Sequence, residues 1–313
     1  MTTARARTIS LCALTAAAIS PAAFGVIIRN DRSQADYLGA AQDSRFEAVG
    51  QMMRGGELRG GGVLVAPGWV LTSAGNVFGT EPDESRWEFN MGGDMYSVAE
   101  IKIHPKFYRD PIQGADLALV RLTDEILGVD TIPVYAGSDE LGQLAELVGP
   151  GTTGFGQGGN LVQAGQFRAG TQEIDVVFDD GKVAWLMTDF DDPADPSASL
   201  FGSDVPTDRE FGLGSGDFGA PLFVDVDGQL AVAGVASVFM PNPRYGSEQY
   251  YSRVSHYINF FEDCGVPTIT PTPRIATAMA PHVAHRTGSR RTIQPNTAAM
   301  KGAEAKRSIA LAT

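Results

Sequence analysis

The stretch Gly60-Gly61-Gly62-Val63-Leu64-Val65-Ala66-Pro67-Gly68-Trp69-Val70-Leu71-Thr72-Ser73-Ala74-Gly75-Asn76 holds two short apolar runs, Gly62 to Ala66 and Trp69 to Ser73, joined by Pro67-Gly68. Proline presets φ for the first turn position, and glycine takes a positive φ at the second at no steric cost. The dipeptide therefore predicts a hairpin closed by a type II turn. Leu222 to Val226 and Leu230 to Val238 flank Asp227-Gly228, a second hairpin pattern. Leu117 to Leu122 is apolar and β-branched enough for a buried strand. Only near the end does the period change: Val254, Tyr257, Ile258 and Phe261 fall at i, i+3, i+4 and i+7, with Ser255 as the expected cap of a short amphipathic helix. The body is expected to be all-β.

Charge divides the chain. Residues 26–265 hold 15 Lys/Arg and 36 Asp/Glu, a net of −21, whereas 266–313 hold 7 and 1, a net of +6. Such a body repels nucleic acid. Ahead of it, Arg5 and Arg7, the apolar run Ile9 to Ile19 and the small-x-small site Ala23-Phe24-Gly25 have the pattern of a secretory signal ending at residue 25. The run is too short to span a bilayer, and no membrane anchor is expected elsewhere, so the mature protein is expected to be secreted or periplasmic. Past Cys264 the chain passes through Pro267, Pro271 and Pro273 into small and basic residues without an apolar face, and residues 266–313 are expected to be a disordered basic tail. Cys12 lies inside the presumed signal, which leaves Cys264 without an intramolecular partner. It is read as an idle thiol or as a link to another chain. The oligomeric state is left open.

Five motifs stand in one order. After the opening stretch come Ile103-His104-Pro105 with Asp116-Leu117-Ala118-Leu119-Val120-Arg121-Leu122, then Thr153-Gly154-Phe155-Gly156, Gly216-Asp217-Phe218-Gly219-Ala220-Pro221-Leu222, and Tyr251-Ser252-Arg253-Val254-Ser255-His256-Tyr257. In this order and spacing they resemble the trypsin/chymotrypsin-like serine peptidase family. Its corresponding segments are C-G-G-S-L-I…W-V-L-T-A-A-H-C, H-P…D-I-A-L-L-K-L, T-G-W-G, G-D-S-G-G-P-L and Y-T-R-V-S-x-Y. The resemblance implies two six-stranded antiparallel Greek-key barrels with a short C-terminal helix, over residues 26–138 and 139–265.

It also implies where catalysis would reside and what is missing there. The chemistry needs a nucleophile, an imidazole and an orienting carboxylate. Asp116 is retained, but Gly75 stands at the histidine position and Phe218 at the serine position, and the flanking half-cystines are replaced by Gly60 and Asn76. The oxyanion-hole donors would be the backbone N–H groups of Gly216 and Phe218, and the specificity position would be Gly212, which offers no carboxylate to a basic side chain. Asp217 is the candidate partner for a new N-terminus at Val26-Ile27, the other reading being a carboxylate satisfied by loop amides. Ser73 and Ser215, with His104, His256, His282 and His285, are the groups from which a substitute site would have to be built.

The resemblance thus implies an inactive homologue that binds a protein or peptide ligand. The alternatives are an active serine-type endopeptidase using non-standard residues and a degenerate, non-functional product. No organic cofactor is expected. Calcium is possible at Asp189, Asp191, Asp192 and Asp195, or at Glu81, Asp83, Glu84 and Glu88, against the plainer reading of solvated acidic loops.

Overall fold

The computed structural model describes residues 26–79, 86–111, 115–158, 165–239 and 243–272. The presumed signal, the tail from residue 273 with His282 and His285, and Glu81, Asp83 and Glu84 lie outside these residues. The described chain opens with strand β1 (Ile27–Ile28) and helix α1 (Gln34–Ala40). The strand-like apolar pattern gives no warning of α1. Its mark is the capping box, in which Ser33 accepts from the Asp36 N–H and the Asp36 carboxylate accepts from the Ser33 N–H.

Six strands then close a barrel: β2 (Val49–Arg54), β3 (Glu57–Ala66), β4 (Trp69–Thr72), β5 (Trp87–Met91), β6 (Asp94–Ile103) and β7 (Ala118–Leu122), in the order β2-β3-β4-β7-β6-β5. Along β5, Trp87, Phe89 and Met91 are buried and alternate with half-buried Glu88 and Asn90, the two-residue period of a sheet with one face in a core. The β3–β4 hairpin forms as expected, but Gly68 does not take a positive φ, so its turn is not of type II. Helix α2 (Ala74–Val77) follows β4.

The second half contains β8 (Val134–Tyr135), β9 (Leu144–Gly149), β10 (Gly154–Phe155), β11 (Arg168–Glu173), β12 (Val176–Asp179), β13 (Ala184–Asp189), β14 (Phe211–Gly212), β15 (Pro221–Val226), β16 (Gln229–Phe239), β17 (Glu248–Arg253) and β18 (Thr268–Ile269). Its main path, β11-β9-β15-β16-β17-β13-β12, is antiparallel and forms a half-barrel, the second member of the expected two-barrel architecture. Asp227 and Gly228 both take positive φ at the β15–β16 turn, as the Asp-Gly pattern requires.

Parallel pairs were not anticipated. They join β1 to β10, and β8 to both β16 and β18. Two consequences correct the expected boundaries. Ile27 and Ile28 pair with β10 and β14, so the start of the described chain belongs to the second half, outside the first barrel. Val266 is buried and β18 pairs with β8, so the ordered body runs past residue 265.

The closing helical turn is a 3₁₀ segment, Val254–Tyr257, running into helix α3 (Ile258–Glu262). Val254, Tyr257 and Phe261 face inward as the period requires. Ser255 does not cap it; its hydroxyl donates to Glu140 Oε1 at 2.7 Å. One apolar cluster runs from Met52, Trp87 and Phe89 inside the barrel across the seam to Phe223, Val232 and Phe261. Phe46 stacks on Phe223 at 5.8 Å within it. The cleft edge of the molecule is therefore mounted on a continuous core.

Candidate active-site remnant

Asp116 precedes β7 and is fully buried. Its Oδ1 accepts the Gly75 N–H from α2 at 2.6 Å, and its Oδ2 accepts the Ser237 hydroxyl from β16 at 2.6 Å. Ser237 was missed in the sequence, where its one available mark is a lone hydroxyl in the apolar run Leu230 to Val238. Both bonds orient the carboxylate, and Gly75 presents no imidazole for it to orient.

Phe218 is half-buried at the turn before β15. Its carbonyl accepts the Gly61 N–H at 2.8 Å and the Asn76 side-chain amide at 2.7 Å. Any Cβ at position 60 would collide with the Asn76 amide and the Phe218 carbonyl. Glycine at 60 and asparagine at 76 are therefore complementary replacements, in which a hydrogen bond to the Phe218 loop stands where the family carries a disulfide. Gly216 holds φ +97°, and among the described residues its N–H has no hydrogen-bond partner. The Gly216 N–H, one of the two donors expected to form an oxyanion hole, is thus not used by the protein itself.

Asp217 is buried beneath that loop. It accepts the Gly151 N–H at 2.7 Å, the Gly214 N–H at 2.8 Å and the backbone N–H of Val26. The two readings of this residue meet here: the carboxylate is satisfied by amides, and one amide belongs to the residue that signal cleavage would expose. Val26 is buried at φ +48°, unusual for a β-branched residue, and its carbonyl accepts the Thr153 hydroxyl at 2.6 Å. Burial pushes the Asp217 carboxyl up to about 7 against the opposing pull of its amide donors.

Gly212 pairs with Ile27, and a Cβ there would sit 3.1 Å from the Phe190 ring, 3.4 Å from Ile27 and 3.5 Å from Pro243. A larger side chain has no free volume at this position. Beside it, Gln249 accepts the Leu213 N–H at 3.0 Å and donates to the Phe211 carbonyl at 3.0 Å, and Thr188 donates to Gln172 at 2.6 Å.

Among the described residues the substitute groups do not assemble. Ser73 is buried with its hydroxyl unpartnered, while Ser215 is exposed. His104 packs edge-on against Tyr257 and Phe260, accepts the Lys106 N–H at 3.1 Å, and is held down to about 4 by burial. His256 is bonded to Asp179 at 2.7 Å.

The expected calcium group Asp189, Asp191, Asp192 and Asp195 is divided by the structure. Asp192 accepts the Ala194 N–H and Asp195 accepts Ser197, each holding a local turn, whereas Asp189 and Asp191 are buried. Asp175 and Glu210 join the buried pair; their electrostatic coupling reaches Asp189 and Asp191. Glu88 is half-buried on β5. Among the described residues no three His, Cys, Asp or Glu side chains converge as a metal site, and none of the helices is long and apolar enough to cross a membrane. Cys264 is half-buried with Lys102 Nζ 3.8 Å from its sulfur.

No protein-family model matches the chain, and no curated protein matches it at a significant level. Among solved structures it is similar to neuropsin, a serine protease expressed in the limbic system of mouse brain, at 20% identity and a TM-score of 0.50, over 70% of this chain and 94% of that one. Together with the closed barrel, the half-barrel and the short closing helix, this similarity shows that the chain has the trypsin/chymotrypsin-like two-barrel fold.

Proposed function

We propose that this chain is an exported protease homologue without protease chemistry, which binds a protein or peptide through its retained cleft. The observation that carries the reading is the Asp116 carboxylate. It is buried and held by Gly75 N–H and Ser237, with glycine where a proton acceptor is required and phenylalanine where a nucleophile is required. Without those groups, a protease retains only the contribution of substrate binding and of oxyanion stabilisation. The unused Gly216 N–H supports binding, since a carbonyl or carboxylate of a ligand can accept it.

Two measurements test this. The purified chain, incubated with a broad peptide library and read by mass spectrometry, is expected to yield no new termini and no labelling by a serine-directed phosphonate. The double variant Gly75→His/Phe218→Ser, which returns both groups to an intact Asp116, is expected to be labelled. Cleavage by the unaltered chain would remove the claim of inactivity. For binding, the chain is used as bait in the secreted fraction of its source beside a cleft-blocked Gly216→Trp variant. Equal recovery by both, or by neither, would remove the cleft as the binding site.

A further inference from the structure

Asp189 ends β13, and its Oδ2 accepts the Leu200 N–H at 2.5 Å and the Phe201 N–H at 3.4 Å. Asp175, between β11 and β12, accepts the Ser203 N–H at 3.2 Å. Glu210 accepts the Asp191 N–H at 2.7 Å and the Thr207 N–H at 2.5 Å. The segment 190–210 is thus held down at both ends and in the middle by backbone bonds to three carboxyls from outside or at the end of it. Asp189 Oδ1 and Asp191 Oδ1 are buried with no hydrogen-bond partner, and their residues are only 3% and 5% exposed.

The charges that act most strongly on this group are all negative. Asp175 and Asp191 feel Asp189, Asp191 also feels Asp204 and Glu173, and Asp189 feels Glu248 across from β17. Glu248 is itself bonded to the Tyr250 hydroxyl, and the Ser199 hydroxyl faces both Asp189 and Asp191. The nearby arginines pair with other carboxylates, Arg29 with Asp31 at 2.7 Å and Arg209 with Asp208 at 3.6 Å; Arg29 also donates to the Thr207 carbonyl of the segment at 2.5 Å and is coupled to Glu210. Tyr37 donates to the Glu210 carbonyl, leaving its carboxylate to the amides. Several buried carboxylates without a cation cannot all stay ionised beside one another, because desolvation and mutual repulsion both disfavour the charged form.

We propose that the segment 190–210 is a proton-operated cover: it lies closed while its carboxyl bed is partly protonated and lifts when the bed ionises, displacing the Phe190 and Gly212 wall at the specificity position. The wall follows because the segment carries Phe190 at one end and runs directly into β14 at the other, and the Phe190 ring contacts position 212. The direction agrees with the carboxyl environments. Burial raises Asp189 to about 6, Asp175 and Asp191 to about 7, and Glu210 to about 8. In the lifted state these groups return toward ordinary carboxylate values. The closed state therefore binds more protons, is favoured at the acid end, and is lost as pH rises through about 6 to 8.

Trp185 reports on the cover, because Phe201 packs with it in a small cluster that includes Met187, Val238 and Tyr250. The experiment is acrylamide quenching of the Trp185 emission, taken as the difference between the unaltered chain and Trp185→Phe, in the presence of a chelator. Quenching is expected to rise about threefold between roughly pH 5.5 and 8.5, and the rise should be reduced or displaced to higher pH in Asp191→Asn, which removes a charge from the bed but keeps the backbone N–H that Glu210 accepts. Asp175→Asn serves if that variant does not fold, and Asp192→Asn, at an exposed turn, should behave as the unaltered chain. A flat profile, or an unchanged rise in both bed variants, overturns the proposal. So does abolition of the rise by millimolar calcium but not magnesium, which would make the bed a cation site.

Discussion

The first barrel buries Met52, Val63, Trp87, Phe89 and Leu119 in its interior, and among the described residues its one fully buried carboxylate, Asp116, lies at the seam. The second half buries Glu140, which is paired with Arg253, and Asp189, Asp191, Glu210 and Asp217, with Asp175 half-buried near them. The two halves therefore respond to solution conditions very differently. Apolar burial is indifferent to protons, whereas each carboxyl held above its ordinary value makes the fold's stability depend on pH. One half is expected to behave as a fixed frame and the other as an adjustable one.

The most severe way to break this contrast is at Phe89. Its ring lies against Gly50, where any Cβ would collide with it, and beside Gly62, so its nearest neighbours are glycines with no side chain to fill the space it leaves. Phe89→Ala is expected to cost about 4 kcal/mol. Denaturant unfolding should give the same loss near pH 5.5 and near pH 8, and a loss that varied with pH would show that the first barrel is not a fixed frame.

The next largest effect is the pH dependence itself. Asp175, Asp189, Asp191, Glu210 and Asp217 all bind protons more tightly folded than unfolded. Stability due to them is complete below about pH 4 and falls as pH rises through about 6 to 8. Ion-paired carboxylates such as Asp179 and Asp31, held below their ordinary value, act in the opposite sense at the acid end. The maximum is therefore expected near pH 4 to 5, with stability falling above it and on the order of 3 kcal/mol lost by pH 8, or about 6–12 °C in Tm. Thermal unfolding across that range measures it; a Tm that rises toward pH 8 would contradict it.

This contrast was only partly legible in the sequence. Turn dipeptides, apolar alternation and motif order carried the two-barrel architecture, because each is a local consequence of backbone sterics or of a half-buried sheet. The bed of carboxyls was half seen. Asp189 and Asp191 stood out as part of an acidic run, but Asp175 and Glu210 are 14 and 21 residues from Asp189, and only the pairing of β12 with β13 and the folding back of the loop bring them together. Asp192 and Asp195, which looked like members, turned outward because short Asx turns satisfied them locally. Ser237 was hidden for a related reason: its partner Asp116 is 121 residues away, across the seam.

Asp217 sharpens the comparison between its own amide cradle and the crowded acidic bed. It accepts three backbone N–H groups and has Arg168 as its strongest charged neighbour, whereas the strongest charges on the bed are acids. Asp217→Asn leaves at least one buried N–H without an acceptor, at about 2 kcal/mol. Because the carboxyl is already partly protonated at neutral pH, the loss should be no larger at pH 8 than at pH 6. Purification with a new N-terminus at Val26 would add an ammonium to this cradle, and the unaltered protein should then hold the carboxylate ionised to lower pH. Mass spectrometry of the mature N-terminus decides between the two states, since a start downstream of Val26 removes the ammonium altogether.

The smallest effect is expected where the two halves meet. Asn76 donates from α2 of the first half to the Phe218 carbonyl of the second, in the space that glycine at 60 leaves open. Removing the amide in Asn76→Ala deletes its bond to the Phe218 carbonyl and a longer one to the Thr72 hydroxyl at 3.3 Å, but the carbonyl keeps the Gly61 N–H and the hydroxyl keeps its bond to the Gly61 carbonyl, so the stability cost is about 1 kcal/mol. Its local consequence should exceed that figure, because the Phe218 loop would lose one of the two bonds that position its carbonyl. Amide hydrogen exchange at Gly216 and Phe218 is the measurement that separates the two. If Asn76→Ala lowers global stability while leaving exchange at those amides unchanged, the asparagine serves the core of the seam. If exchange accelerates at nearly constant stability, the bond that stands in place of a disulfide is what keeps the emptied cleft in shape.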